Sequence, residues 1–278
     1  MINKKIIISC TVKNEAKNLK RFFSILESFI FNFDDYFIVF VESDSSDNSL
    51  ELINYFLMNK KGVVLKESIN KNYNRIKNLE ICRNRYLNYV KKNSSISNFD
   101  YLIVMDVDGV NNRIAYKNIK NSINNLKDWT AIFPNQTFFY YDIFALRINN
   151  FIEKNYIENI KNDYLNNKFR SLKKNINFNL QKYFFLNKKF KNRFIEVRSA
   201  FGGMGIYKLD KIKEFKYESL DGMQCEHVIL NESLSKKYGN LYIDRKLYNS
   251  TGINIHTING LLCSNLNFFA KRFYSKIT

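Results

Sequence analysis

Four short apolar, β-branched runs in the first 106 residues are separated by helical patterns, and this alternation constrains the fold more than any other feature. Residues 5–12 form the first run. A helical period follows from 15 to about 30, with Leu19, Phe22, Phe23, Leu26 and Ile30 on one face. Residues 36–41 read as a second strand, 50–58 as a second helix and 62–65 as a short third strand. A third helix over 76–90 offers Leu79, Ile81, Tyr86, Leu87 and Val90 for burial, and a fourth strand spans 101–106. Strands alternating with helices predict an α/β fold with a mainly parallel sheet, helices on its faces and ligands at the strands' carboxyl ends.

The second half is less regular. Residues 129–133 and 194–197 read as strands, 148–172 as a strongly charged helix, 225–238 as a helix and 241–243 as extended. Between them Ser199-Ala-Phe-Gly-Gly-Met-Gly-Ile-Tyr207 places a Gly-rich turn inside strand-like sequence. Neither an internal repeat nor a Pro/Gly/Ser-rich linker marks a boundary, so one domain over 1–278 is expected. Its hydrophobic content of 45% and aromatic content of 16% supply a large core, which excludes disorder for most of the chain.

The net charge of +18, from 44 Lys and Arg against 26 Asp and Glu, attracts polyanions. It is spread along the chain with concentrations at 168–193 and 271–276, and reads mostly as solvated surface. No zinc pattern, RNA-recognition aromatic block or helix-turn-helix signature accompanies it, so nucleic acid is not an expected partner. Cys10, Cys82, Cys225 and Cys263 are scattered without a Cys-x-x-Cys pair, which suits reduced thiols in the cytoplasm. No apolar stretch approaches the ~20 residues that span a bilayer. In the tail, Phe268, Phe269 and Phe273 stand beside basic residues, which suits either peripheral contact with a membrane or packing on the core.

The fourth strand carries the chemistry. Tyr101-Leu-Ile-Val-Met-Asp-Val-Asp108 ends in two acids at i and i+2, which extended backbone puts on one side. Adjacent carboxylates repel unless a cation neutralises them, and Mg²⁺ or Mn²⁺ prefers such oxygen ligands while bridging to substrate phosphates. A metal–diphosphate site on Asp106 and Asp108 is therefore expected, with a solvated type I turn as the plainer alternative.

Polar segments also follow the first two strands, Thr11-Val-Lys-Asn-Glu15 and Val41-Glu-Ser-Asp-Ser-Ser-Asp-Asn-Ser49, and the third helix holds Cys82-Arg-Asn-Arg85. Together with Asp106-Val-Asp108, their order over residues 5–110 resembles the nucleotide-sugar-binding half of a GT-A-fold glycosyltransferase of the family 2 style, with Cys82 where that family has alanine. The resemblance implies a GT-A, Rossmann-like, mixed and mainly parallel sheet, and a nucleotide-diphosphate sugar bound by Thr11, Val12, Asn14, Glu15, Glu42, Asp44, Arg83 and Asp106. Glu42 suits hydrogen bonds from a base or ribose, and Arg83 a bidentate grip on diphosphate. The plainer alternatives are first-turn helix stabilisation for Glu15, a surface helix arginine for Arg83 and helix capping for Asp47.

Further on, Tyr141-Asp-Ile-Phe-Ala-Leu-Arg147, the Gly202-Gly203 block and Gln224-Cys-Glu-His227 resemble fungal capsule-associated mannosyltransferases. This implies an acceptor-side half over 111–278, with Tyr141, Asp142, Arg147, Gly202, Gly203 and His227 meeting the acceptor or sugar. Glu226, at a helix start, is the expected acceptor base, or else a mere complement to the helix dipole. His256 is a candidate third metal ligand, or a structural histidine. The expected activity is metal-dependent transfer of a hexose-type sugar to a glycan or lipid-linked hydroxyl. A nucleotidyltransferase ranks below it because Thr11-Val-Lys-Asn-Glu15 lacks a Gly-rich basic loop, and a basic nucleic-acid binder ranks lower still.

Overall fold

The computed structural model describes residues 2–137, 140–153, 166–167, 190–220, 222 and 224–251. His256, Cys263 and the basic-aromatic tail lie outside the described residues, as does most of the charged segment at 168–193.

The first half alternates as expected: β1 (Ile2–Val12), α1 (Ala16–Ile30), β2 (Phe33–Glu42), α2 (Ser49–Leu57), β3 (Gly62–Lys66), α3 (Arg75–Lys92) and β4 (Tyr101–Met105). There follow α4 (Tyr116–Asn125), β5 (Ala131–Gln136), β6 (Phe194–Glu196), β7 (Met204–Lys208), α5 (Leu209–Ile212), α6 (Glu226–Tyr238) and β8 (Leu241–Ser250). The strands form one sheet in the order β3-β2-β1-β4-β7-β5-β8-β6. β1 pairs in parallel with β2 and β4, β2 with β3, and β5 with β8, while β7 runs antiparallel between β4 and β5.

Two-residue periodicity sorts each strand's side chains onto two cores. Ile6, Ile8, Cys10 and Val12 of β1 face α1, α2 and α4, meeting Leu19, Phe22, Ile53, Phe56 and Ile119. Ile7 points the other way, into a core shared with Cys82, Tyr86, Leu87 and Val90 of α3 and Val228, Leu230 and Leu234 of α6. β4 is buried along its whole length, which is why it reads as an unbroken apolar run rather than an alternating one.

One helix is not anticipated, and another expected helix starts differently, most of its span lying outside the described residues. The sequence gives no warning of α4, since Tyr116-Lys-Asn-Ile-Lys-Asn-Ser-Ile-Asn-Asn125 is rich in asparagine, a poor helix former. Only Ile119 and Ile123, four residues apart, mark its buried face, so tertiary packing overrides propensity there. The helix expected over 148–172 does not begin at 148. Ile148 instead bridges Ile152 across a tight turn, with Asn150 at φ 58°.

Candidate active site

Because β1, β2 and β4 are parallel, their carboxyl ends share one edge of the sheet, and antiparallel β7 begins at that edge. Asp106 follows β4 directly, and its N–H donates to the Gly203 carbonyl at 2.9 Å. The glycine turn thus sits against the Asp pair. Gly203 has φ +85°, and a Cβ there would lie 2.3 Å from a Val110 methyl, so neither the backbone nor the space admits a side chain.

A buried amide network fixes this junction. Asn111 donates to the Asp106 and Gly203 carbonyls, both at 2.8 Å, and accepts from Asn249 at 2.8 Å. Asn249 and Gln136 both donate to the Gly202 carbonyl, at 2.8 and 3.1 Å, and Gln136 Oε1 accepts the Tyr141 N–H at 2.9 Å. Tyr141 then donates its hydroxyl to Asp108 Oδ2 at 2.5 Å, and burial raises the phenol's pKa, which keeps that proton on the phenol. Sequence reading missed Asn111, Gln136 and Asn249. Gln136 and Asn249 stand at the ends of β5 and β8, while Asn111 lies in no strand and carries no comparable signal.

Arg83 lies at the centre. It is buried on α3, against the alternative of a surface arginine, because α3 packs between the sheet and the loop leading to α6. Its Nε donates to Glu226 Oε1 at 2.8 Å and its Nη2 to Asp106 Oδ1 at 3.2 Å, while Phe201 and Tyr217 flank the guanidinium plane. Nη1 is buried and has no partner among the described residues. One cation therefore serves two carboxylates 120 positions apart in the chain, from Asp106 to Glu226.

Burial pushes the Asp106 carboxyl up to about 7; Arg83 opposes that rise, and the charges of Asp108 and Asp142 add to it. Its side chain is 23% exposed, so dense surroundings rather than full exclusion of water cause the shift. Burial likewise raises Asp142 to about 6, with Glu226 adding to the rise and the Ala145 N–H and Arg83 opposing it. An anionic cluster with too little positive charge is what an incoming cation would relieve.

The β1 and β2 loops interlock beside this cluster. Asn14, at φ 54°, accepts the Ser46 N–H at 2.7 Å, and Asp47 accepts the Ala16 N–H at 3.1 Å, which caps α1. Glu42 is buried at the end of β2, where its Oε1 accepts the Ser45 N–H at 2.7 Å. Asp44 accepts the Ile69 N–H at 2.7 Å, tying this loop to the one after β3. Thr11 and Val12 are the last ladder residues of β1, and the Val12 carbonyl is taken by Ser43. Glu15 is half-buried, its pKa raised by that burial, and it accepts from Asn18 at 2.6 Å. The expected donor residues are thus brought to one edge, with several of their polar atoms holding the loops.

Of the expected acceptor-side residues, Tyr141 bonds Asp108 and Gly203 bonds Asp106, Gly202 accepts from the amide network, and Asp142 follows Tyr141 in the chain. Arg147 is buried behind them, donating Nη1 to the Phe144 and Leu146 carbonyls at 3.1 and 2.8 Å. His227 stacks on Phe201 at 3.7 Å between ring centroids, and neither ring nitrogen has a hydrogen-bond partner among the described residues, Nε2 lying 3.8 Å from Glu226 Oε1. Burial, aided by the Arg83 charge, holds its pKa well below the usual 6.5, so the ring is neutral. The unfolded imidazole takes up its proton near 6.5, so stability is whole above that value and declines as pH falls toward the lower folded pKa. His227→Phe keeps the stacking and removes this titration. Melting temperatures between about pH 5 and pH 7 should then fall less with acid than in the wild type. Equal slopes in the two proteins would contradict the neutral, structural role.

Comparison with known structures settles the architecture. A Pyrobaculum calidifontis mannosyltransferase, PcManGT, in complex with GDP-Man and Mn²⁺, matches with a TM-score of 0.55 at 8% identity, over 100% of this chain and 65% of that one. S. aureus TarS 1-349 in complex with UDP-GlcNAc matches with a TM-score of 0.52 at 11% identity, over 91% of this chain and 60% of that one. The fold is GT-A. This chain spans only 65% and 60% of the length of those two proteins. No protein-family model and no curated protein sequence matches it, and nothing supports the likeness of the C-terminal half to capsule-associated mannosyltransferases. Among the described residues no helix is long and apolar enough to cross a membrane.

Proposed function

We propose that this protein is a glycosyltransferase that takes a hexose-type sugar from a nucleotide-diphosphate donor to a hydroxyl of a glycan or lipid-linked acceptor. The observation that carries the reading is the pair Asp106 and Asp108 at the end of the central strand, in a GT-A sheet, with Arg83 beside it. The two structural neighbours bind GDP-Man and UDP-GlcNAc, which supports a nucleotide-sugar donor. On this reading residues 1–110 bind the donor and 111–278 the acceptor within one domain.

The donor set suits Mn²⁺ or Mg²⁺. Two carboxylates one residue apart meet in an electron-rich cluster, although no group of three ligating side chains occurs among the described residues. Such ions need only one or two carboxylates when substrate phosphates complete the shell. Bound there, the ion would neutralise the departing diphosphate. The chain's own residues do the rest. Asp106 and Asp108 gather positive charge at the leaving group, Arg83 holds Asp106 in place, and the amide network fixes the glycine turn under the sugar. Glu42 and the interlocked loops form the nucleotide's side of the cleft.

The test is a screen of UDP- and GDP-sugars for nucleoside diphosphate release, with and without Mn²⁺. Metal-stimulated release from at least one donor is expected. Pyrophosphate release from a nucleoside triphosphate and a sugar phosphate would instead identify a nucleotidyltransferase.

A further inference from the structure

Glu226, the acid expected to deprotonate an acceptor, is already engaged. Its side chain is 4% exposed and its Oε1 is held by Arg83 Nε at 2.8 Å. Its position in the first turn of α6 keeps it behind Arg83, where it orients the guanidinium against Asp106.

Asp142 differs on each count. It lies in the turn after β5, is only partly buried, and makes no ion pair among the described residues. One oxygen, Oδ1, accepts the Ala145 N–H at 3.1 Å, which fixes the plane of the carboxylate. The other oxygen has no partner among the described residues. The residue before it is pinned twice, through its N–H to Gln136 at 2.9 Å and through its hydroxyl to Asp108 at 2.5 Å. The turn that carries Asp142 is therefore anchored to Asp108 through Tyr141, and the charges of Asp106, Arg83 and Glu226 act together with the Asp142 carboxylate. A general base needs an oriented carboxylate with a free oxygen facing the reacting centre.

We propose that Asp142 is the catalytic base of this site, its free oxygen taking the proton of the attacking hydroxyl. The inference rests on the glycosyltransferase reading. As the hydroxyl oxygen forms its bond to the anomeric carbon, its proton passes to Asp142 Oδ2. The bond from that carbon to the diphosphate oxygen breaks, and its electron pair leaves on the diphosphate. Asp142 returns the proton to solvent after product departs, and nothing is oxidised or reduced. A single displacement of this kind inverts the anomeric configuration.

Asp142→Asn separates this role from a structural one, because the amide oxygen still accepts the Ala145 N–H but cannot take a proton. Water serves as acceptor, so the assay is hydrolysis of whichever UDP- or GDP-sugar the wild type turns over. Binding of UDP or GDP with Mn²⁺ is measured alongside by calorimetry. The variant should melt as the wild type does and bind the nucleotide equally well, with kcat for hydrolysis about 10²–10⁴-fold lower. NMR of the freshly released sugar should show the inverted anomer. An Asp142→Asn enzyme within tenfold of wild type, a retained anomer, or a loss of nucleotide affinity as large as the loss of kcat would each overturn the assignment. A wild type inactive on every nucleotide sugar would overturn the glycosyltransferase reading and this inference with it. An active wild type with an equally active variant overturns the inference alone.

Discussion

Asp106→Asn and Asp108→Asn are each expected to cut nucleotide-sugar turnover by about 10²–10³-fold, the usual cost of losing one preorganised electrostatic contact to a developing charge. Both variants should remain folded. An asparagine at 106 still offers an oxygen to Arg83 Nη2, and the backbone bonds to Gly203 and Asn111 are untouched. An asparagine at 108 can still accept the Val110 N–H through its oxygen, and its amide N–H can donate to the Tyr141 hydroxyl oxygen in place of the bond that hydroxyl gave to the carboxylate. What disappears is negative charge at the strand end. Initial rates of diphosphate release, set beside thermal melts, would show this. Turnover near wild type in either variant, with metal still required, would remove the Asp pair from the chemistry.

Arg83→Met should have the largest effect on stability. It leaves Glu226 buried without its cation and Asp106 without its partner. Removing one member of a buried ion pair typically costs about 3–5 kcal/mol. For a chain of this size that corresponds to a fall in melting temperature of roughly 6–20 °C. Adding Glu226→Gln to Arg83→Met removes the stranded charge, so part of the stability should return. Activity should not return, because Asp106 stays unheld. A double variant no more stable than the single one would show that the packing of Arg83 between Phe201 and Tyr217, rather than its charge, holds this region.

The sequence made some of this visible and hid the rest for identifiable reasons. Local pattern was enough for β1 through β4, since short apolar runs such as Ile6-Ile7-Ile8 and Leu102-Ile103-Val104 mark the strands and α1 repeats Leu19, Phe22 and Leu26. The Asp pair was legible because an apolar run ended abruptly in acids. The Arg83–Glu226 bond joins residues 143 positions apart, and no local pattern announces such a partner. It buries an arginine that could have sat on the surface, and it engages Oε1 of Glu226, the expected base. Asn111 and Asn249 were hidden because asparagine pervades this chain, so polar residues that close a network look like those that face water, and Gln136 carries no local mark that sets it apart. α4 was missed for the same compositional reason.

Asp106 and Asp108 are expected to gather a divalent cation and a nucleoside diphosphate at the end of β4. Calorimetric titration of UDP and of GDP, each with Mn²⁺ and with chelator, tests it most directly. At least one nucleotide should bind in a manner that depends on Mn²⁺ and is lost in Asp108→Asn. Binding of equal strength with chelator present and in Asp108→Asn would contradict it.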